Sequence, residues 1–411
     1  FLEALPLPRN NSNYQKIDLQ FLFEHITLLQ FACLLAFLSF LISYTVIPKL
    51  IGIASYKKLM DKPNSRSSHQ ETTPTLGGIA FFVSLVLCIF FLKFYDTSDI
   101  SINIIVALTI LFITGVKDDL MVLGPRSKIL AQLLAFTFLL VNTDLHIINW
   151  HGFLGFTNVP LGLNIILSYI AMLAIINAYN LIDGIDGLAS LMGMAIFAVF
   201  GMVFYSLNLH FYFLLSVIAI SFLVAFFRYN VSKKQKIFMG DTCSMIVGFL
   251  IGLFTLRFLA LTPESLVEIG IAPANLLLLI LAILFIPMLD VFRVIMIRLL
   301  RKQSPFAPDR NHVHHIFVDL GWSHLKTSIF LGVYSLFIAV LFFVFNTFLS
   351  TNSVLFLLVV TGLLNLVLVF HINPHYNALR QKLKIKAVLL QLVKSNLIPV
   401  RSLRMLFRIF F

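Results

Sequence analysis

Four short polar segments carry nearly all the chemistry available to this sequence. They are Gly115-Val116-Lys117-Asp118-Asp119-Leu120, the run Asn177-Ala178-Tyr179-Asn180-Leu181-Ile182-Asp183-Gly184-Ile185-Asp186-Gly187, the run Phe238-Met239-Gly240-Asp241-Thr242, and a loop from Ser304 that ends Asp309-Arg310-Asn311-His312-Val313-His314-His315. Each abuts a long apolar run, and acids at the ends of such runs are costly unless paired or functional. If Asp118, Asp119, Asp183, Asp186 and Asp241 converge, they repel one another, so something positive must sit among them. A hard divalent ion with oxygen ligands, Mg²⁺ or Mn²⁺, fits best, because a Mg²⁺ site uses one or two carboxylates completed by substrate phosphate and water. The Arg and His residues of the last segment then supply donors for phosphate oxygens.

Taken singly, most of these segments have a plain structural explanation. Asp118-Asp119 alone is an ordinary pair of helix-end acids. Gly240-Asp241-Thr242 reads equally well as a helix N-cap. His312, His314 and His315 suggest a transition-metal site, but no Cys or further His-rich segment completes a tetrahedral set. The pattern Asn-x-x-Asn-x-x-Asp-Gly-x-Asp-Gly is different. It packs two Asp-Gly pairs and two Asn into eleven residues between apolar spans, which specifies a tight polar turn with a purpose beyond structure.

The elements that position these segments are membrane helices. Of 411 residues 59% are apolar and 12% charged, with 43 Phe, against roughly 25% charged in a soluble domain. Apolar runs at 26–47, 76–94, 102–116, 128–142, 165–180, 187–205, 211–227, 243–260, 276–297, 327–349 and 354–371 predict an all-α polytopic membrane protein of about eleven transmembrane helices, ten being the alternative count. Pro287 predicts a break or kink in the ninth, and Gly152, Gly155, Pro160 and Gly162 among Trp150, Phe153 and Phe156 predict a small hairpin on the outer surface. The sequence carries 30 Lys and Arg against 18 Asp and Glu. All the basic residues except Arg9, Lys16, Lys93 and Arg257 fall in alternate loops, at the inner end of span nine or in the tail. That asymmetry is a topology signal and not a nucleic-acid footprint: it sets the N-terminus outside, the C-terminus in the cytoplasm and the four polar segments in a cytoplasmic cleft. Residues 1–371 form one catalytic domain, and 372–411 a basic amphipathic cytoplasmic tail suited to a membrane surface. Cys33, Cys88 and Cys243 lie in or beside apolar spans and read as small membrane hydrophobes.

The sequence resembles the polyprenyl-phosphate N-acetylhexosamine-1-phosphate transferases from about residue 60 to 321. The resemblance rests on Asp61-x-Pro63-Asn64-x-Arg66-x-x-His69, Pro74-x-x-Gly77-Gly78, Asp118-Asp119, Asn177–Leu188, Phe238–Thr242, Pro287-x-x-Asp290 and Ser304–His315 with Gly321. The His-x-His-His form after Asp309-Arg310 resembles the branch that uses UDP-N-acetylglucosamine to begin O-antigen, enterobacterial common antigen or teichoic-acid lipids. The branch that loads UDP-MurNAc-pentapeptide usually carries three consecutive His. Cys243 departs from the Gly common after Gly-Asp-Ser/Thr in bacterial relatives, which bears on the details of the metal loop.

The resemblance implies that a UDP-N-acetyl sugar and undecaprenyl phosphate react at the bacterial inner membrane to give undecaprenyl-diphospho-sugar and UMP. It implies Mg²⁺, replaceable by Mn²⁺, on Asn180 and Asp241 with Asp119 close by. Asp118 takes the proton of the lipid phosphate or orients that phosphate; a covalent aspartyl intermediate stays open. Asp183 and Asp186 address uridine or sugar hydroxyls, with Asn177 in the same binding segment. Arg310, His312, His314 and His315 hold phosphates and the leaving UMP, and Lys62 and His69 belong to the nucleotide pocket. Asp290 pairs with Arg293 or Arg298 and is structural. Another UDP-sugar donor stays open, as does oligomeric state, a homodimer among the options. The rival from a different class is a secondary transporter, which also uses intramembrane acids and broken helices. Transporters place such acids near the midplane, usually within internal repeats, whereas here they gather at one face and no repeat is evident.

Overall fold

The computed structural model describes residues 27–57, 59, 72–96, 98–142, 145–147, 149–304 and 311–373. Lys62, His69, Arg310 and all of the predicted tail beyond Asn373 lie outside these residues. The described chain is almost entirely helical: α1 (Leu28–Lys57), α2 (Gly77–Leu92), α3 (Ile100–Met121), α4 (Pro125–Leu140), α5 (Leu161–Ile182), α6 (Leu188–Ser206), α7 (His210–Asn230), α8 (Gly240–Leu259), short α9 (Pro263–Glu268), α10 (Leu276–Ile283), α11 (Phe285–Leu300), short α12 (Val313–Asp319), α13 (His324–Phe348) and α14 (Thr351–Ile372). Each expected span coincides with one of these helices, or with a pair of them. Among the described residues eight helices are long and apolar enough to cross a membrane, and the bent pair around Leu284 makes a ninth. The remaining two expected spans, α2 and α4, are each 16 residues long. The protein is an all-α polytopic membrane protein.

The bent pair turns through 71°. The break falls at Leu284 and not at Pro287 itself, for a steric reason. A proline ring clashes with the carbonyl four residues earlier in a continuous helix, and that residue is Ile283, the last of α10. Placed third in α11, Pro287 sits in the first turn, where its missing N–H costs nothing.

α8 forms the axis of the bundle, with 89% of its apolar window buried against 17% for α14 at the periphery. It packs mainly on α5, α3 and α2. Lipid removes most of the hydrophobic drive between helices, so close packing and small residues carry their association. Aromatic rings fill the inner layer: Phe81 stacks on Phe222 at 4.1 Å, Phe82 on Phe112 at 4.1 Å, and Phe254 meets Phe197, Phe200 and Phe204 edge-on. Buried hydroxyls tie α1, α2 and α7 together, Ser84 donating to Ser39 and Ser39 to the Ile218 carbonyl.

At the end of the bundle where α4 finishes and α5 begins, Asn149–Phe153 and Phe156–Asn158 form a two-stranded antiparallel hairpin, β1–β2. The Trp150 indole donates to Asn164 on α5 at 2.8 Å and anchors the hairpin to the bundle.

Candidate active site

At the opposite end, the polar segments meet at the N-terminus of α8. α3 reaches it because Gly115 has no side chain: a Cβ there would lie 2.5 Å from the Thr242 Cα. One turn further on, α3 presents its two aspartates. Asp119 accepts from the Asp241 N–H at 2.7 Å, from the Thr242 N–H at 3.2 Å and from the Thr242 hydroxyl at 2.5 Å. These are orphan donors that a helix leaves at its N-terminus, so the cap that Gly-Asp-Thr does not provide for itself comes from α3. Gly240 begins α8 at φ +71°, and a Cβ there would strike the Thr75 carbonyl at 2.4 Å. Only glycine combines that conformation with that approach.

Asp118 faces the other way and is buried. One oxygen accepts from the Leu123 N–H at 2.5 Å, which closes the turn between α3 and α4. The other lies 2.5 Å from the Lys128 ammonium, which also reaches Asp241 at 3.0 Å. Lys128 stands in the first turn of α4, whose start is set by Pro125 at its first position. The remaining Asp241 oxygen accepts from the Asn180 amide at 2.5 Å, and that amide also donates to Ser244 at 2.7 Å. Two carboxylates thus hold one cationic atom between them, and the Asn180 amide caps the far oxygen of Asp241.

Asn177 lies one turn behind Asn180 and donates to the buried Gln132 at 3.0 Å, four residues beyond Lys128 on α4. It holds the lysine-bearing helix against α5 instead of facing the cluster. α5 ends where Gly184 N–H turns back to the Ile182 carbonyl at 2.7 Å. Asp183 then accepts from the Gly240 N–H; burial pushes its carboxyl up to about 8, and the charges of Asp241, Asp119 and Asp186 push the same way. Asp186 is opposite in character. Burial would raise it, but His324 at 3.0 Å and Lys236 at 2.7 Å outweigh that and hold it below the usual range. It fastens the turn to the α7–α8 loop and to α13.

The histidine segment docks on this turn. His314 and His315 lie in α12 and His312 just before it, all buried. The His314 Nε2 rests on Gly184 so closely that a Cβ there would meet it at 2.2 Å. Burial, then neighbouring His315, hold His314 well below the ordinary imidazole range, so it is neutral.

Asp118, Asp119, Asn180, Asp183 and Asp241 therefore share one cluster, with Asp186 on the adjoining turn, His314 resting on Gly184 of that turn, His312 and His315 beside His314, and Asn177 bracing the cluster from behind. Lys128 is the central residue that sequence reasoning passed over as topology charge; a buried glutamine one turn along the same apolar helix was the available signal. The same topology reading absorbs Lys236, the sequence offers no such signal for His324, and Asp290 pairs with Arg293 at 2.7 Å as expected.

Residues Asp118, Asp241 and Asn180 offer the hard oxygen donors that Mg²⁺ takes, and an ammonium already occupies the position between two of them. Among the described residues no three His, Cys, Asp or Glu side chains close around a single point. The fit is accordingly to an ion that completes its shell with substrate phosphate and water.

A bundle of long apolar helices with such a polar cluster at one end of its axial helix is that of a polytopic membrane protein. A family model described as glycosyl transferase family 4 matches residues 101–259, the stretch that contains Asp118, Asp119, Lys128, Asn180, Asp183 and Asp241. The undecaprenyl-phosphate alpha-N-acetylglucosaminyl 1-phosphate transferase of Salmonella typhi is 28% identical over 273 residues, covering 64% of this chain and 70% of the relative. The protein of the same description from Escherichia coli strain K12 is 26% identical over 275 residues, 66% and 72% of the two chains. A probable undecaprenyl-phosphate N-acetylglucosaminyl 1-phosphate transferase of Bacillus subtilis strain 168 is 28% identical over 297 residues, 70% and 78%. Over residues 101–259 the chain is thus similar to glycosyl transferase family 4, and over roughly two thirds of its length it is similar to these membrane transferases.

Proposed function

We propose that this protein transfers N-acetylglucosamine-1-phosphate from UDP-N-acetylglucosamine to undecaprenyl phosphate, releasing UMP and beginning a cell-surface polysaccharide. The observation that carries this reading is Lys128 held between Asp118 and Asp241, with Asn180 alongside, at the end of the bundle where membrane helices meet. That arrangement suits an acceptor whose tail lies in lipid and whose phosphate enters from the membrane surface.

Phosphoryl transfer asks for positioning and charge neutralisation more than for covalent help. An oxygen of the lipid phosphate attacks the phosphorus that bears the sugar, and the diphosphate bridge breaks toward UMP. Asp118 orients the lipid phosphate or takes its proton, and Lys128 offsets the charge that gathers there. His312, His314 and His315, with Arg310, grip the phosphates of the nucleotide. Asp119 and Asp183 hold the N-terminus of α8 and so set where Asp241 points. Asp241 and Asn180, with Asp118, would hold Mg²⁺, which when bound neutralises diphosphate oxygens and eases departure of UMP.

The distribution of basic residues supports a cytoplasmic site in the bacterial inner membrane, an outward N-terminus, eleven spans and a single catalytic domain through residue 371. The test is an assay of purified protein with undecaprenyl phosphate and a panel of UDP-sugars. UMP release from UDP-N-acetylglucosamine, only when the polyprenyl phosphate is present, is the expected result. Consumption of UDP-MurNAc-pentapeptide alone would overturn the donor, and release of UDP in place of UMP would overturn phosphoryl transfer.

A further inference from the structure

Asp290 lies in α11, 22 residues before His312, and is buried. Its carboxylate collects three donors. One oxygen accepts from the Arg293 guanidinium at 2.7 Å and from the Val313 N–H at 3.0 Å, and the other from His312 Nδ1 at 2.8 Å. Arg293 also donates to the Asn311 carbonyl. An ionised carboxylate is an acceptor only, with about four lone-pair sites; three of these are spent, two of them on the segment that carries the histidines.

Two of these bonds fix something about the histidines. The bond to His312 requires a proton on Nδ1, which leaves Nε2 as the nitrogen available to a ligand. The bond to the Val313 N–H satisfies the first residue of α12, the helix that carries His314 and His315. The His312 ring lies nearly parallel to that of His314, at 9° with centroids 5.7 Å apart, so its plane constrains the next ring. Among the described residues, His314 Nε2 and Arg293 Nη1 are buried without a hydrogen-bond partner. A side chain whose only function was to hold α11 to the loop would not need to settle which nitrogen of His312 bears hydrogen.

We propose that Asp290 is a positioning residue for the phosphate-binding histidines: it sets the tautomer of His312 and holds the first turn of α12 against the Asp183–Asp186 turn. The proposal rests on the transferase reading above, since it is the nucleotide phosphates that the histidines would meet.

Turnover is compared in wild type, Asp290→Asn, His312→Gln and the double variant, with UDP-N-acetylglucosamine and undecaprenyl phosphate. Asp290→Asn is expected to lower kcat by about ten- to a hundredfold, as loss of an orienting partner behind a histidine does. The double variant should fall no further than His312→Gln, and the KM for undecaprenyl phosphate should hold. Losses that multiply would show that Asp290 acts independently of His312 and overturn the proposal. A second measurement needs no activity and no folded Asp290 variant. In protein carrying ¹⁵N-labelled histidine, the signal missing from His312→Gln belongs to His312, and it is expected to report a proton on Nδ1. A proton on Nε2 alone overturns the proposal whatever the turnover. The expected tautomer in a wild type that releases no UMP would support the positioning while refuting the reaction.

Discussion

Asp119 and Thr242 are joined twice, since both the backbone N–H and the hydroxyl of Thr242 donate to the same carboxylate oxygen, at 3.2 and 2.5 Å. With the Asp241 N–H on the other oxygen, Asp119 acts as the N-cap of a helix to which it does not belong. A cap from within α8 would hold only α8. This one locks the end of α3 to the start of α8, and thereby fixes the spacing between Asp118 and Asp241 that Lys128 bridges.

Asp119→Ala should therefore reduce stability as well as turnover. It strands three donors, at about 1–3 kcal/mol for each one left buried and unsatisfied. Thermal unfolding in detergent is expected at a clearly lower temperature than in wild type, with Asp119→Asn intermediate because an amide oxygen can keep part of the cap. An Asp119→Ala protein with wild-type thermal stability and no activity would show the carboxylate to be chemical and not structural.

Lys128→Gln addresses the centre of the cluster. Turnover, read as UMP release, should fall at least about a hundredfold, a loss of some 2.7 kcal/mol at ~1.4 kcal/mol per decade. Because the ammonium occupies the space between Asp118 and Asp241, its removal should leave binding of Mn²⁺, followed by electron paramagnetic resonance, as tight as in wild type or tighter. In the wild type, EDTA should abolish turnover and Mg²⁺ or Mn²⁺ restore it. Asp241→Asn should cost about 10²–10³-fold, since Lewis-acid stabilisation contributes several kcal/mol. Full activity in chelator would remove the metal from the mechanism.

The sequence exposes the carboxylates of this site because lipid makes them conspicuous: an aspartate ending an apolar run has no ordinary explanation, and Asp118, Asp183 and Asp241 converge as that argument requires. Basic residues are harder to read for the opposite reason. Lysines at inner helix ends have an ordinary explanation in topology, and it absorbed Lys128 and Lys236, although each pairs with an aspartate of the site. The Asp290–Arg293 pair follows from spacing along one helix, but the bond to His312 crosses 22 residues and depends on how the chain returns. Gly184 is legible as part of a turn; that His314 would rest on it is not, because nothing local couples residues so far apart.

Asp183 sets an expectation for pH. Its carboxyl lies outside the membrane helices and is raised to about 8 in the folded protein, against about 3.9 for an unperturbed Asp. A group raised on folding contributes stability that is complete below its unfolded pKa and is lost as pH climbs through the folded value. Without divalent ions, thermal stability should thus decline between about pH 4 and 8 from this source. Asp183→Asn, which stays neutral, should flatten that part of the profile. An unchanged slope in the variant would assign the pH dependence to other groups.

Gly184→Ala is the smallest change that should disable the site without touching a charged group. The new methyl would start 2.2 Å from His314 Nε2, a separation no real contact reaches. His314 has a short reach, is buried and is flanked by His315 at a centroid distance of 4.3 Å, so it cannot swing clear without moving α12. The Gly184 backbone itself lies outside the left-handed region, so alanine adds no strain of its own there. The effect should accordingly appear in nucleotide handling: UDP-sugar turnover falls by at least about tenfold, ~1.4 kcal/mol, while membrane insertion and Mn²⁺ binding at the Asp118–Asp241 cluster stay as in wild type. Adding His314→Gly to Gly184→Ala should restore packing but not turnover. Wild-type kinetics for Gly184→Ala would mean that the histidine segment does not rest on this turn when substrate is bound.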